Sequence, residues 1–259
     1  MLVLINLDSA VERRHAMTRQ LKDCSLAFDR VGVDLRCLRS TEVEREIQSR
    51  FSHLRFDRKV LSSPEIGCWL SHLTAWQALV AQTRDSTCTV IEDDLTLLPG
   101  FANAVNVLSG PAREDPAACA QAASPFDVVY FGTSSRNVSQ RRRMDVNGLS
   151  VHKPLGFILN TWGYSITRAY AQRFFAGASR RAIRLPIDHF LGGRGGRLRP
   201  RIGVLQPAVL LEDPVLGMDS QIAPYTYRFD RSPIFEGARR RLLASNLSDL
   251  YYSLIYRYL

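Results

Sequence analysis

The chain has 259 residues, enough for one large α/β domain or one domain with a small appendage. Hydrophobic residues make up 46% and charged residues 23%, a balance that fills a sizeable core and excludes global disorder. The net charge of +9, most of it from arginine, favours anionic partners: nucleic acid, acidic lipid headgroups or phosphorylated small molecules.

Leu2 to Leu7 is a short apolar run that reads as a buried central strand. Asp8 or Ser9 caps the helix expected from Ala10 to Cys24, with Val11, Met17 and Leu21 on its inner face. Phe28 to Val33 reads as a second strand, and a short helix is expected near Thr41–Arg50. The clearest helix starts at Ser62, where Ser62 and Glu65 form a capping box and Pro64 sits in the first turn. Ile66, Trp69, Leu70, Leu73, Trp76 and Val80 then recur at steps of three and four, giving one apolar face. Thr87 to Ile91 is the next strand and runs directly into Glu92-Asp93-Asp94; Pro99 and Gly100 precede a helix to about Leu108.

Residues 110–125 form an Ala- and Pro-rich excursion before a buried strand, Asp127 to Gly132. Arg136, Arg141, Arg142 and Arg143 then suggest a basic loop. Gly163–Thr167 reads as a strand, Arg168–Ala178 as a helix, and Leu185–Leu191 as a short turn or helix bearing Asp188 and His189. GGRGGR (192–197) lacks the Lys-Ser/Thr of a P-loop and reads as a mobile basic loop. From Glu236 to Leu259 the chain is expected to be helical, with Arg239–Arg241 and several Leu and Tyr residues. Such a helix either lies on an anionic membrane surface or packs on the domain. Alternating strands and helices point to a largely parallel sheet covered on both faces.

Five scattered cysteines without a CxxC pair read as reduced thiols. The first residues are too soon charged for a signal peptide, and no run approaches about 20 apolar residues. The expected location is cytoplasmic, peripheral at most on the inner face of a bacterial inner membrane.

Four groups of residues carry chemistry. Glu92-Asp93-Asp94 ends an apolar strand, where ligands of open α/β sheets collect, and carboxylates there suit Mg²⁺ or Mn²⁺ bridging to phosphates. The same triplet also reads as a solvated acidic turn. INLDSAVERR places a strand end, a short loop and a helix start where a nucleotide can meet backbone groups; Arg13 or Arg14 either reaches a diphosphate or is solvated. Gly67, Ser71 and His72 lie on the long helix: the glycine suggests close packing or ligand approach, and the other two are ligand contacts or structural residues. Ser71 and His72 are adjacent, so they point to different faces, and no GxSxG elbow occurs. Asp188 beside His189 is a general base, a metal ligand or a helix-start aspartate.

In order and spacing, INLDSAVERR, PEIGCWLSHLTAW, VIEDDL, FDVVYFG, WGYSITRAYA and LPIDHFL resemble glycosyltransferase family 25. That family holds bacterial lipooligosaccharide galactosyltransferases and collagen galactosyltransferases; Gln206-Pro207 and Asp219-Ser220-Gln221-Ile222 extend the likeness to residue 222. The resemblance implies a GT-A type nucleotide-sugar-binding fold, a UDP-sugar donor (usually UDP-galactose), Mn²⁺ or Mg²⁺, and inversion at the anomeric carbon. Carried over by residue, Asp94 is the metal ligand, while Glu92 and Asp93 contact the donor. Asn6, Leu7, Asp8 and Arg13 line the uridine and diphosphate side, Ser71 and His72 join them, and Asp188 is the acceptor-side base. Trp69 departs from the small residues frequent at its position, and the 192–201 loop is unusually rich in arginine. The expected protein has a transferase domain over 1–235 and a basic helical tail over 236–259. It moves a hexose to a saccharide or lipid-linked saccharide acceptor, in lipooligosaccharide or other surface-glycan synthesis. UDP-glucose or a UDP-N-acetylhexosamine is the alternative donor. A basic nucleic-acid or acidic-membrane binding module is the rival from another class, although no helix-turn-helix, zinc or RNA-recognition signature is present and no nucleic-acid partner is expected.

Overall fold

The computed structural model describes residues 1–82, 85–109, 125–133, 138–146, 148–158, 160–213 and 216, with the side chains of 140–146 outside that description. The chain divides into Met1–Asp219 and Ser220–Leu259, and every described element belongs to the first unit. Residues 110–124, the Asp219–Ile222 match, the boundary at 235 and the basic tail all lie outside the described residues.

Among the described residues, eight strands form one sheet in the order β2-β1-β3-β8-β5-β9-β7-β6. They are β1 (Leu2–Ile5), β2 (Asp29–Val31), β3 (Thr87–Ile91), β5 (Val128–Tyr130), β6 (Val138–Val146), β7 (Leu149–Pro154), β8 (Gly163–Thr167) and β9 (Ile202–Gln206). The pairings β1–β2, β1–β3 and β5–β9 are parallel and the other four antiparallel. All strands but β7 and β8 therefore run in one direction. The expectation of a largely parallel sheet holds for strand direction, but the pairing is mixed because β8 is inserted between β3 and β5. A second, two-stranded sheet pairs β4 (Leu95–Leu97) with β10 (Leu210–Glu212).

Side-chain alternation sorts the core onto two faces. Val3, Val90, Val128 and Tyr130 face α2 (Ser40–Phe51), α3 (Ser63–Ala81) and α5 (Arg168–Ala178). Leu2, Leu4, Ile91, Val129 and Phe131 face α1 (Val11–Asp23) and α4 (Phe101–Leu108). The mixed α/β architecture with helices on both faces is thus the one the sequence pattern implies.

The capping box forms as expected: Ser62 N–H donates to Glu65 Oε2 at 2.7 Å and the Ser62 hydroxyl accepts from Glu65 N–H at 3.4 Å. The start of α1 differs. Its N-cap is Ala10, with no side-chain cap. Asp8 and Ser9 are drawn away by arginines, Asp8 to Arg30 of β2 at 2.6 Å and Ser9 to Arg36 of the loop after it at 2.7 Å.

Trp69 is wholly buried, stacked on Phe174 with Phe190 at its edge. It is a core residue, and its Nε1 donates to the Leu185 carbonyl at 2.8 Å, which fixes the segment leading to Asp188. That segment forms the short turn α6 (Ile187–His189). GGRGGR is not a free loop: Phe190–Arg194 and Gly196–Leu198 are helical turns. A Cβ on Gly192 would meet the Ile158 carbonyl oxygen at 1.7 Å, so only glycine lets the two backbones approach. The expected Arg141–Arg143 loop is instead part of strand β6.

Candidate functional site

β1 and β3 lie side by side in parallel, so their carboxyl ends deliver Asn6 and Glu92-Asp93-Asp94 to one edge of the sheet. This is the edge at which open α/β sheets hold ligands. The carboxylates are not a solvated turn. Asp93 is 7% exposed, and Glu92 and Asp94 are half-buried.

Two cationic or polar groups hold Asp93. Asn6 Nδ2 donates to its Oδ2 at 2.7 Å, and Arg13 Nη1 donates to its Oδ1 at 3.2 Å. Burial nonetheless raises its carboxyl above the usual range. Arg13 also lies 3.4 Å from Asp94 Oδ2 and donates to the Leu216 carbonyl at 2.5 Å. The main chain of Asp94 is pinned by Asp213 N–H, which donates to its carbonyl at 2.8 Å. The β4–β10 pair then continues from Leu95, and the Gln20 side chain of α1 bonds to both Leu95 and Leu97.

Asp94 Oδ1 is buried without a hydrogen-bond partner. Burial, reinforced by the negative charge of Glu92, pushes the Asp94 carboxyl up to about 7, against the pull of Arg13. An orphaned carboxylate oxygen in a field short of positive charge is the environment that a divalent cation would relieve.

Glu92 is held differently. Its backbone N–H donates to the Trp162 carbonyl at 2.9 Å, and the Thr161 hydroxyl donates to its carboxylate. Burial would raise this carboxyl, but the neighbouring His72 imidazole, Thr161 and Arg13 hold it below its usual range. Asn160, just before Thr161, has φ +91°, a conformation rare outside glycine and one that sets Thr161 against Glu92.

His72 sits at the centre of α3 with no exposed surface. Its Nδ1 is 2.7 Å from the Tyr164 hydroxyl, which also accepts from Trp76 Nε1 at 3.0 Å. Its Nε2 faces Glu92 Oε1 at 3.6 Å and has no hydrogen-bond partner. The reading of His72 as a satisfied structural histidine therefore covers one ring nitrogen and not the other.

Asp188 comes to the same region from the far side of the chain. Its Oδ1 accepts from His189 N–H at 2.7 Å. Burial, reinforced by Glu92 and Glu65, pushes its carboxyl up to about 6. Burial also drives His189 down to about 3, so that ring stays neutral. A carboxyl near 6 is poised to take a proton close to neutral pH.

Not every expected contact lies in this cluster. Asp8 is 86% exposed and paired with Arg30. The Leu7 carbonyl accepts from Ala10 N–H. Both Asn6 amide groups are used within the fold, its oxygen by Arg30 and its nitrogen by Ala10 and Asp93. The Ser71 hydroxyl donates to the Gly67 carbonyl and accepts from Val33 N–H, each at 2.9 Å, so it ties α3 to the loop after β2. Sequence reasoning missed Cys68, Thr161 and Tyr164. Cys68 shares the His72 face of α3, and the other two sit in or beside the WGY segment, so their motifs were visible but their roles were not.

The fold and the cluster together define a Rossmann-like α/β protein with a buried carboxylate site at the carboxyl end of its sheet. Residues 1–191 match the model of glycosyltransferase family 25, described as an LPS biosynthesis protein, and the chain belongs to that family. It is 29% identical over 194 residues to a glycosyltransferase 25 family member of Drosophila pseudoobscura pseudoobscura, covering 73% of this chain and 29% of that protein. It is 26% identical over 191 residues to procollagen galactosyltransferase 2 of Mus musculus, with the same coverage of 73% and 29%. It is also 26% identical over 136 residues to the inactive glycosyltransferase 25 family member 3 of Homo sapiens, covering 52% and 21%. The chain thus spans less than a third of the length of these curated relatives. Among the described residues, no helix is long and apolar enough to cross a membrane.

Proposed function

We propose that this chain is a GT-A type, metal-dependent transferase that moves a hexose, galactose first, from a UDP-sugar to a saccharide acceptor with inversion. The observation that carries this reading is the orphaned, buried Asp94 Oδ1 beside Glu92 at the end of β3, in the same electrostatic cluster as Asp188. Galactose is favoured by the names of the relatives, two of which are procollagen galactosyltransferases. A lipid-linked or surface-glycan acceptor is favoured by the family's description as an LPS biosynthesis protein, and on this reading the reaction takes place at the cytoplasmic face of a membrane.

Asp94 would hold Mn²⁺ or Mg²⁺, which supplies charge neutralisation for a diphosphate leaving group. Arg13, already at Asp93 and Asp94, would stand as a protein cation beside that charge. Asp188 takes the proton of the acceptor hydroxyl as its oxygen bonds to the anomeric carbon. The bond from that carbon to the β-phosphate oxygen breaks, and UDP leaves with the electron pair. A single base with no carboxylate nucleophile assigned opposite it suits one displacement, hence inversion. Trp69 holds the Leu185 carbonyl and so fixes where Asp188 stands.

The test is a panel of UDP-galactose, UDP-glucose and UDP-N-acetylhexosamines with Mn²⁺ and the purified chain. Turnover greatest with UDP-galactose bears the reading out. Preference for another UDP-sugar replaces the donor only, and no turnover of any donor removes the enzymatic reading.

A further inference from the structure

We infer that Cys68, His72 and Glu92 form a second cation site, for a thiophilic divalent ion of the Zn²⁺ or Co²⁺ kind, separate from the hard-cation site at Asp94. Cys68 and His72 are four residues apart on α3, so their side chains lie one above the other on one face. Glu92 is brought opposite them by the end of β3. One ligand atom from each, the sulfur, a ring nitrogen and a carboxylate oxygen, all lie within 4.8 Å of one another. A tetrahedral site with bonds of about 2.0–2.3 Å needs ligand atoms about 3.3–3.8 Å apart. His72 Nε2 and Glu92 Oε1 already stand at 3.6 Å, so a small movement of the sulfur completes the set.

The imidazole supplies an independent observation. His72 is fully buried, and its Nε2, aimed at this position, has no hydrogen-bond partner. A buried ring nitrogen left without a hydrogen bond is unfavourable, and a bound ion would relieve it. Its other nitrogen rests on Tyr164, which Trp76 holds in turn, the outer-shell support typical of a ligating histidine. Sulfur and imidazole select zinc-like ions over Mg²⁺ or Mn²⁺, and three protein ligands leave a fourth position open to water. On binding, the thiol proton is released to solvent and the sulfur bonds as thiolate. The ion would lock α3 to Glu92, next to the carboxylates that the transfer reading uses. The three ligands stand together whether or not the chain transfers a sugar, and the bound ion is detected optically.

The experiment titrates the metal-stripped full chain with Co²⁺. A sulfur-to-cobalt charge-transfer band and tetrahedral d–d bands are expected, saturating at one equivalent and displaced by Zn²⁺. Cys68→Ser should lose the charge-transfer band, and Cys37→Ser, at an exposed thiol, should keep it. A wild-type protein without the band, or a Cys68→Ser protein that keeps it, overturns the site. Should Cys68→Ser fail to fold, the zinc X-ray absorption spectrum of the wild type loaded with one equivalent decides the matter. One sulfur at about 2.3 Å beside nitrogen and oxygen ligands at about 2.0 Å is expected, and a shell of nitrogen and oxygen alone overturns the site.

Discussion

Arg13 Nη1 stands 3.2 Å from Asp93 Oδ1, and the two side chains are only 9% and 10% exposed. The pair joins the start of α1 to the end of β3, so the β1–α1 corner and the carboxylate triplet form one electrostatic unit. Removing one partner of a buried pair typically costs about 3–5 kcal/mol. Arg13→Ala should therefore lower the unfolding free energy by about 3 kcal/mol at pH 8, measured in urea. The loss should shrink as pH falls through the titration of Asp93, whose carboxyl burial raises above its ordinary range, because the protonated group needs no counter-charge. A loss under about 1 kcal/mol at pH 8 would show that Asp93 does not depend on Arg13.

Asp94→Asn should act oppositely on stability. The Asp94 carboxyl titrates at about 7 in the folded chain, against about 3.9 when unfolded, so the folded form binds the proton more tightly. That contribution is complete below about pH 4 and is lost as pH rises to about 7. In chelator, Asp94→Asn should melt above wild type at pH 8 and close to it at pH 4. Each 1 kcal/mol relieved is worth roughly 2–4 °C at this size. An equal difference at both pH values would contradict the charged-cluster account.

Asp188→Asn should lower kcat by about 10²–10⁴-fold and leave UDP affinity nearly unchanged, because a base on the acceptor does not touch the diphosphate. Wild-type kcat should fall about tenfold per pH unit below about 6, where the Asp188 carboxyl gains its proton. A mutant that loses UDP affinity as steeply as rate moves Asp188 out of the base role.

Gly67→Ala tests the packing of α3. Alanine is the better helix former by about 1 kcal/mol, yet a Cβ at residue 67 would meet the Val33 carbonyl oxygen at 2.7 Å. That carbonyl has little freedom to retreat, because the Val33 N–H is bonded to the Ser71 hydroxyl. Overpacking of this kind costs about 1–3 kcal/mol, so the variant should be less stable than wild type in urea. A stabilised Gly67→Ala would refute the close approach.

Much of the fold is legible in the sequence where a local rule acts alone. Ser62 and Glu65 mark the start of α3, and the apolar run of β3 predicts its end at the triplet. Gly67 signals close packing or ligand approach, and the nearby Val33 carbonyl decides for packing. What stays hidden depends on partners far along the chain. The β4 and β10 strands are three residues each and exist by pairing with each other, and the polar Val138–Val146 strand shows no apolar alternation. The capping expectation at α1 fails because Arg30 and Arg36 compete for Asp8 and Ser9. Within the site, residue types are readable, but Asn6 and Ser71 are bound within the fold. The contacts of Glu92 with His72 and Thr161 cross 20 and 69 residues, beyond any local pattern.

Metal-dependent transfer from a UDP-sugar at the partly buried triplet that ends β3 is open to a direct test. UDP release from UDP-galactose by the wild-type chain, with Mn²⁺ and then with excess chelator, tests it beside Asp94→Asn. The account predicts release with Mn²⁺, its loss in chelator, and none above background from a folded Asp94→Asn. Release that persists in chelator, or an Asp94→Asn protein as active and as metal-responsive as wild type, would contradict it.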